Sequence, residues 1–248
     1  MASHKNKIGV VFKREFTSFF ATPVAYVFIT IFLIMSGMFT FYVGQFYERG
    51  QADLMSFFNF HPWLYLFLVP AIAMRTWAEE RKSGTIELLL TLPVSVWQVM
   101  LGKFFAAWSV LGLSLLLTFP LWLSVNYLGE PDNGIILAAY IGSWLMSGGF
   151  LAISICMSAL TKNQVVAFIL AVVVCFLFVL SGTGFVLDAF NGVLPSLLLD
   201  SIAAMSFMTH FENMSKGVIA LHNVNYFILV IATWLVAGWL AVENRKGA

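Results

Sequence analysis

The sequence predicts an all-α integral membrane protein with six transmembrane helices, and three observations carry that prediction. Of its 248 residues, 60% are hydrophobic and only 10% charged, a composition outside the soluble range. Apolar runs recur at 24–47, 61–78, 96–126, 135–160, 164–187 and 224–242, each near the roughly 20 residues that a bilayer core requires. Basic residues also gather in alternate connections, as the positive-inside rule expects of a multi-pass chain.

The chain opens on an amphipathic stretch at 5–20, KNKIGVVFKREFTSFF. Ile8, Val11, Phe12, Phe16, Phe19 and Phe20 share one helical face, and Lys7, Lys13, Arg14, Thr17 and Ser18 the other. Val10 falls on the polar side and Glu15 at the edge of the apolar one. A basic amphipathic helix ahead of a span reads as an interfacial helix lying on anionic lipid. Thr22 and Pro23 mark the turn into the bilayer. No short apolar core followed by a small-residue cleavage site is present, so no cleaved signal peptide is expected.

Between the second and third runs lies the stretch that organises the reading, EERKSGTIELLLTLPVSVWQVMLGK at 79–103. Four charges, Glu79, Glu80, Arg81 and Lys82, precede Ser83 and Gly84, which end a helix. A new segment, Thr85 to Leu92, carries Ile86, Leu89, Leu90 and Pro93 on one side and Leu88 and Leu92 on another, so it is apolar nearly all round and needs cover. Glu87 suits the positive end of its dipole, Pro93 stops it, and Ser95 with Gln98 forms a capping box for the next helix. The expectation is a short helix at 84–93, parallel to the membrane, that docks a partner protein.

Six spans put both ends of the chain on one side. With the N-terminus cytosolic, 11 of the 13 basic residues lie inside, and only Arg49 and Lys216 outside. Seven of the 12 acidic residues, Glu48, Asp53, Glu130, Asp132, Asp188, Asp200 and Glu212, lie outside. The 79–103 stretch is therefore expected in the cytosol. The long connection at 188–222 has Pro195 positioned to open a helix, and Leu194, Leu197, Leu198, Ile202, Met205 and Met208 recur at near-helical spacing. It reads as one or two external helices that either dip into the outer leaflet or form an amphipathic surface hairpin, with Pro195 and Asp200 at an external gate.

Several functions are disfavoured. The spans as drawn hold no ionisable residue in the bilayer interior, whereas ion-coupled carriers usually need one. No GxxxxGK[ST] phosphate loop occurs, so the chain is not expected to bind and hydrolyse nucleotide by that route. His61, His210 and His222 are read as external and lack metal-ligand spacing on one helix. Cys156 and Cys175 read as small buried residues. In the fourth run, Ser143 and Ser147, Gly148 and Ala152, and Ser154 and Ser158 recur at four-residue spacing, which serves either internal packing or a dimer interface.

The motifs Lys13-Arg14-Glu15-Phe16, Pro23 to Tyr26, Glu79-Glu80 with Gly84-Thr85 and Glu87, Leu92-Pro93, Ser95 and Gly102-Lys103 together resemble the permease subunit of an ABC transporter of the type-2 class. The SALTKNQVVAF stretch at 158–168 is most similar to the permease associated with bacterial gliding motility, and the nitrous-oxide-reductase maturation permease is more distantly similar. The resemblance covers essentially the whole chain as one transmembrane permease domain, 1–248. It implies an elbow helix at 5–20 bearing Lys13, Arg14 and Phe16, spans one to five over 24–187, a coupling helix at 84–93, external re-entrant helices at 188–222, and span six at 224–242. It further implies that Gly84, Thr85, Ile86, Glu87, Leu89, Leu90 and Pro93 seat in a cleft of a cytosolic ATPase dimer. Glu79, Glu80 and Glu87 would contact that subunit or the cytosolic ends of neighbouring helices. The chain itself would be non-catalytic and free of cofactor, with ATP and magnesium in the partner. A second permease protomer, an auxiliary membrane subunit with a large external domain, and membrane lipid complete the expected partners, with no nucleic acid. The implied setting is the bacterial inner membrane, and the implied activity is ATP-driven export, with mechanical transmission to extracytoplasmic partners as the alternative.

Overall fold

A computed structural model describes residues 7–85, 94–190 and 195–244. Among them the chain forms helices and connections with no strand. The helices are α1 Lys7–Ala21, α2 Val24–Met38 with a π-turn at Phe39–Val43, α3 Met55–Asn59, α4 His61–Ala73, α5 Arg75–Ser83, α6 Val96–Leu116 and α7 Phe119–Leu128. They continue as α8 Asn133–Leu160, α9 Gln164–Leu180, α10 Gly184–Phe190, α11 Ser196–Ala204, α12 Phe207–Ser215 and α13 Leu221–Glu243.

Helix α8 is the axis of the bundle, packed by α4, α5, α6, α9, α12 and α13. Its sequence explains why. Small residues let neighbouring backbones approach closely, and at Gly148 a Cβ would stand 2.9 Å from Ile231 of α13 and 3.0 Å from the Trp108 indole of α6. The four-residue rows of Ser143, Ser147, Ser154 and Ser158 are buried inside the chain. Their role is thus internal packing, the first of the two uses expected for them. Cys156 and Cys175 are likewise buried and unpaired as thiols.

Named contacts fix the direction of each pass. Tyr65 meets Ser143 at 2.8 Å and Met74 meets Ser158 at 2.8 Å, so α4–α5 runs parallel to α8. Trp108 Nε1 donates to the Trp144 carbonyl and Thr118 meets the Tyr140 hydroxyl, so α6–α7 runs antiparallel to it. Gly149 faces Val230 and Gly238 faces Cys156, which makes α13 parallel to α8. Val11 lies against Gly102 and Trp97 against Trp239. Hence α1, α5, the start of α6 and the end of α13 gather at one end of the bundle. That end carries Lys7, Lys13, Arg14, Arg75, Arg81, Lys82, Lys103 and Lys162, whereas Arg49 and Lys216 sit at the other.

Among the described residues, length and composition qualify four helical stretches to cross a membrane: 24–43, 96–128, 133–160 and 221–243. A fifth appears if α9 and α10 are counted together, although they bend by 76°. Two expected spans are therefore altered. The run at 61–78 breaks at Met74 into α4, with Pro70 inside it, and α5, whose sequence RTWAEERKS is polar. The run at 164–187 is straight only to Leu180, because a turn at 181–183 redirects the chain.

His61, read from the sequence as external, heads α4 at the end opposite the basic one and is fully buried. It is ringed by Phe32, Phe57, Phe58 and Tyr65, and its Nδ1 lies 2.8 Å from Ser143 Oγ. An ionisable group therefore does stand within the bundle, although it lines none of the principal cavities.

Candidate functional site

The candidate site is built where α1, α5 and α6 meet at the basic end. Helix α5 begins at a break, so its first backbone N–H groups have no intrahelical acceptor. Ser158 of α8 supplies one. Its Oγ accepts from Trp77 N and Ala78 N at 3.1 Å each and donates to the Met74 carbonyl at 2.8 Å. Arg81 adds a hydrogen bond to the Ala159 carbonyl. The exit of α5 is equally defined. Gly84 adopts φ +74°, a left-handed conformation that suits glycine at a helix C-terminus, while Ser83 Oγ donates to the Glu79 carbonyl and meets Thr85 Oγ1 at 2.9 Å.

Helix α6 opens on the expected capping box. Gln98 N donates to Ser95 Oγ at 3.3 Å, and Ser95 N to Gln98 Oε1 at 3.2 Å. Of the residues expected to face a partner, Glu79, Glu80, Gly84 and Thr85 are therefore in view. Ile86, Glu87, Leu89, Leu90 and Pro93, and with them the helix expected at 84–93, lie outside the described residues beyond Thr85.

A buried ammonium joins the three helices. Lys103 Nζ lies 2.7 Å from Glu80 Oε1 of α5 and 3.3 Å from Glu15 Oε1 of α1. The Lys103 side chain is 3% exposed, against 19% for Glu15 and 20% for Glu80. Its charge also stands 5.5 Å from the centre of the buried Trp77 ring, within cation–π range. Removing one member of such a cluster costs more than the pair contributes, because the other charge is left buried. Close approach makes the cluster geometrically feasible: a Cβ at Gly102 would lie 2.6 Å from Val11 Cγ1, so a side chain there would push α1 off α6.

Electrostatics follows from this packing. Burial alone would raise the Glu15 carboxyl, but Lys103 and Arg14 outweigh it and hold the group below its ordinary value of 4.5. Glu79 is held low chiefly by the hydrogen bond from Arg75, at 2.9 Å one turn earlier. Glu79 is thus bound within its own helix and remains 48% exposed. Glu80, next to it, turns inward.

The α1 residues separate as the periodicity predicts. Lys13 and Arg14 are exposed, whereas Phe16 lies between the rings of Phe12 and Phe20 at 5.7 and 5.1 Å. Glu15, at the edge of the apolar face, is the residue that makes the long-range ion pair. The sequence assigns neither Glu15 nor Lys103 a site role, and both belong to the motifs that carry the family resemblance.

At the opposite end, Pro195 and Asp200 are both exposed, and α11 buries none of its side chains. Asn191, Gly192, Val193 and Leu194 lie outside the described residues. Among the described residues, the connection at 188–222 holds the end of α10 and two further helices, α11 and α12. Only α12 is seated, with Phe207, Phe211 and Met214 buried and a Ser206 N-cap. His210 pins this end, stacking on Tyr226 at 3.9 Å and reaching Asn223 and the Ala204 carbonyl at 2.8 and 2.9 Å. The two residues proposed as a gate thus ride on the unburied helix and line none of the principal cavities.

Comparison with known proteins bears on both ends. A family model described as an ABC-2 family transporter protein matches residues 47–242, which takes in α3 to α13 and the Glu80–Lys103 pair. A search of the curated proteins finds no match.

Proposed function

The chain belongs to the ABC-2 family of transporter proteins, and on that premise we propose that it is the permease subunit of an ATP-driven exporter whose connection at 84–93 docks a separate cytosolic ABC ATPase. The observation that carries this reading is the Lys103 cluster. It ties the last described turn before the connection and the first helix after it to α1, through Glu80 and Glu15. A load applied to the connection would therefore move α1, α5 and α6 as one body. ATP, with magnesium in the partner, drives such a movement only by favouring one arrangement of the bundle over the other.

The gathering of basic residues at this end supports its assignment to the cytosolic side of a bacterial inner membrane, with both termini there. Two ATPase subunits require two permease protomers, either a homodimer or a heteromer. A further membrane subunit with a large external domain belongs to the same proposal and rests only on the resemblance read from the sequence at 158–168. A second reading, transmission of ATP-driven motion to an extracytoplasmic protein without solute flux, draws on α11, where Leu197 and Leu198 are 76% and 48% exposed and nothing is buried.

Leu89→Asp tests the docking. It places a charge in the proposed interface, so ATPase co-purification is lost while membrane insertion and yield of the permease persist. Undiminished co-purification of the ATPase with that variant contradicts the proposal.

A further inference from the structure

We propose that His210 is a proton-operated clasp, which holds α11 to the end of the bundle opposite the basic one when its ring is charged and loosens it when the ring is neutral. The ring lies where α11, α12 and α13 meet. Its Nε2 stands 2.9 Å from the carbonyl of Ala204, the last residue of α11, and its Nδ1 stands 2.8 Å from Asn223 Oδ1 in the first turn of α13. It stacks on Tyr226 of α13 with 3.9 Å between ring centres and 17° between planes. Helix α11 buries none of its side chains, so its hold on the bundle rests on polar contacts at its exit. There the Tyr226 hydroxyl also donates to the Met205 carbonyl.

Both ring nitrogens therefore face acceptors. A carbonyl oxygen cannot donate, so Nε2 must carry a proton to bond Ala204, and Nδ1 must carry one to bond Oδ1. Imidazolium carries both protons and neutral imidazole only one. The neutral ring thus gives up one bond, or the buried Asn223 has to turn its amide to offer Nδ2 instead. Charge strengthens the same contacts. Hydrogen bonds from an ionised donor are stronger than neutral ones, the C-terminal end of α11 is the negative end of its dipole, and the face of Tyr226 is negative as well. The ionisable neighbours are few. His222 of α13 stands 6.0 Å from His210 between ring centres, where a second charge would oppose the first. Glu212 of α12 is paired with Lys216 at 2.6 Å, and Asp200 precedes Ala204 by one turn on α11. Of the other helices packed on α12, α8 brings Tyr140 and Cys156 and α9 brings Cys175, and neither carries a charged side chain. Histidine changes charge between about pH 5 and 8, so the clasp tightens as pH falls through that range. The inference concerns the end opposite the proposed ATPase contact and is independent of whether an ATPase docks.

Two measurements on the full chain in detergent test the clasp. Nitrogen NMR on protein carrying labelled histidine reads the ring directly, and at about pH 5.5 His210 should hold protons on both nitrogens. Hydrogen exchange of α11 and its exit, corrected for the intrinsic effect of pH on exchange, should be about fivefold slower at about pH 5.5 than at about pH 8, the margin between charge-assisted and neutral hydrogen bonds. His210→Gln keeps a donor for the Ala204 carbonyl but takes no charge, and it should abolish that difference while leaving exchange of the buried helix α8 unchanged. His222→Gln should keep the difference. A neutral His210 ring at the acid pH, equal exchange of α11 at both pH values in the parent protein, a response that survives His210→Gln, or one that disappears with His222→Gln would overturn the inference.

Discussion

Lys103 answers two carboxylates from two helices, Glu15 and Glu80, and is itself almost wholly shielded from water. Lys103→Met leaves both acids facing each other in a half-buried site, and a loss of about 3–5 kcal/mol is expected, as when a buried pair is broken. A drop in thermal midpoint measures it, and adding Glu15→Gln and Glu80→Gln to the same variant should restore most of the loss. The cluster also sets an acid limit. Because the Glu15 carboxyl sits below its ordinary 4.5 in the folded protein, its stabilisation is fully present above that value and is lost as pH falls through the lowered folded value. The thermal midpoint of the parent protein should therefore fall more steeply on acidification below 4.5 than that of Glu15→Gln. At this scale the sequence was partly legible. The misfit of Glu15 at the edge of an apolar face was visible from helical periodicity, but its partner was not, since no local spacing links α1 to α6.

Among the elements, α5 depends on a residue from another helix. The break at Met74 deprives its first turn of acceptors, and Ser158 serves three backbone groups there. Ser158→Ala should cost about 1–3 kcal/mol, the penalty of leaving buried backbone groups unpaired, and should speed amide exchange at Trp77 and Ala78 ahead of the rest of the bundle. Packing of α1 on α6 has a similar single point of control. Gly102→Val is expected to detach α1, measured as protease access to the N-terminal helix, and Val11→Gly in the same chain should lessen it by vacating the contacted volume. The capping box at Ser95, the stop at Gly84 and the sorting of α1 faces were all legible, because each is a local rule with fixed spacing. The break at Met74 was hidden inside a continuous apolar run, where hydropathy reports composition and not helix continuity. The turn after Leu180 escaped notice for the same reason.

Across the whole molecule, the bundle segregates charge and burial. Its basic end is locked by the Lys103 cluster, whereas at its other end α3 and α12 are seated and α10 and α11 bury no side chain. Alternating direction of the passes and the gathering of basic residues were readable from the sequence, since both follow from apolar run length and loop charge. Central placement of α8 and burial of His61 were not, because they depend on which helices pack together. An ion-paired end beside the 84–93 connection and, at the opposite end, two helices with no buried side chain suit a subunit that receives force at one side and responds at the other. That account requires a partner. Purification from native membranes in mild detergent, with the subunit stoichiometry measured, tests it most directly. A soluble ATPase with a Walker phosphate loop, recovered one per permease protomer, is the predicted result. Quantitative recovery of this chain with no ATPase, under conditions that preserve its folded state, would contradict it.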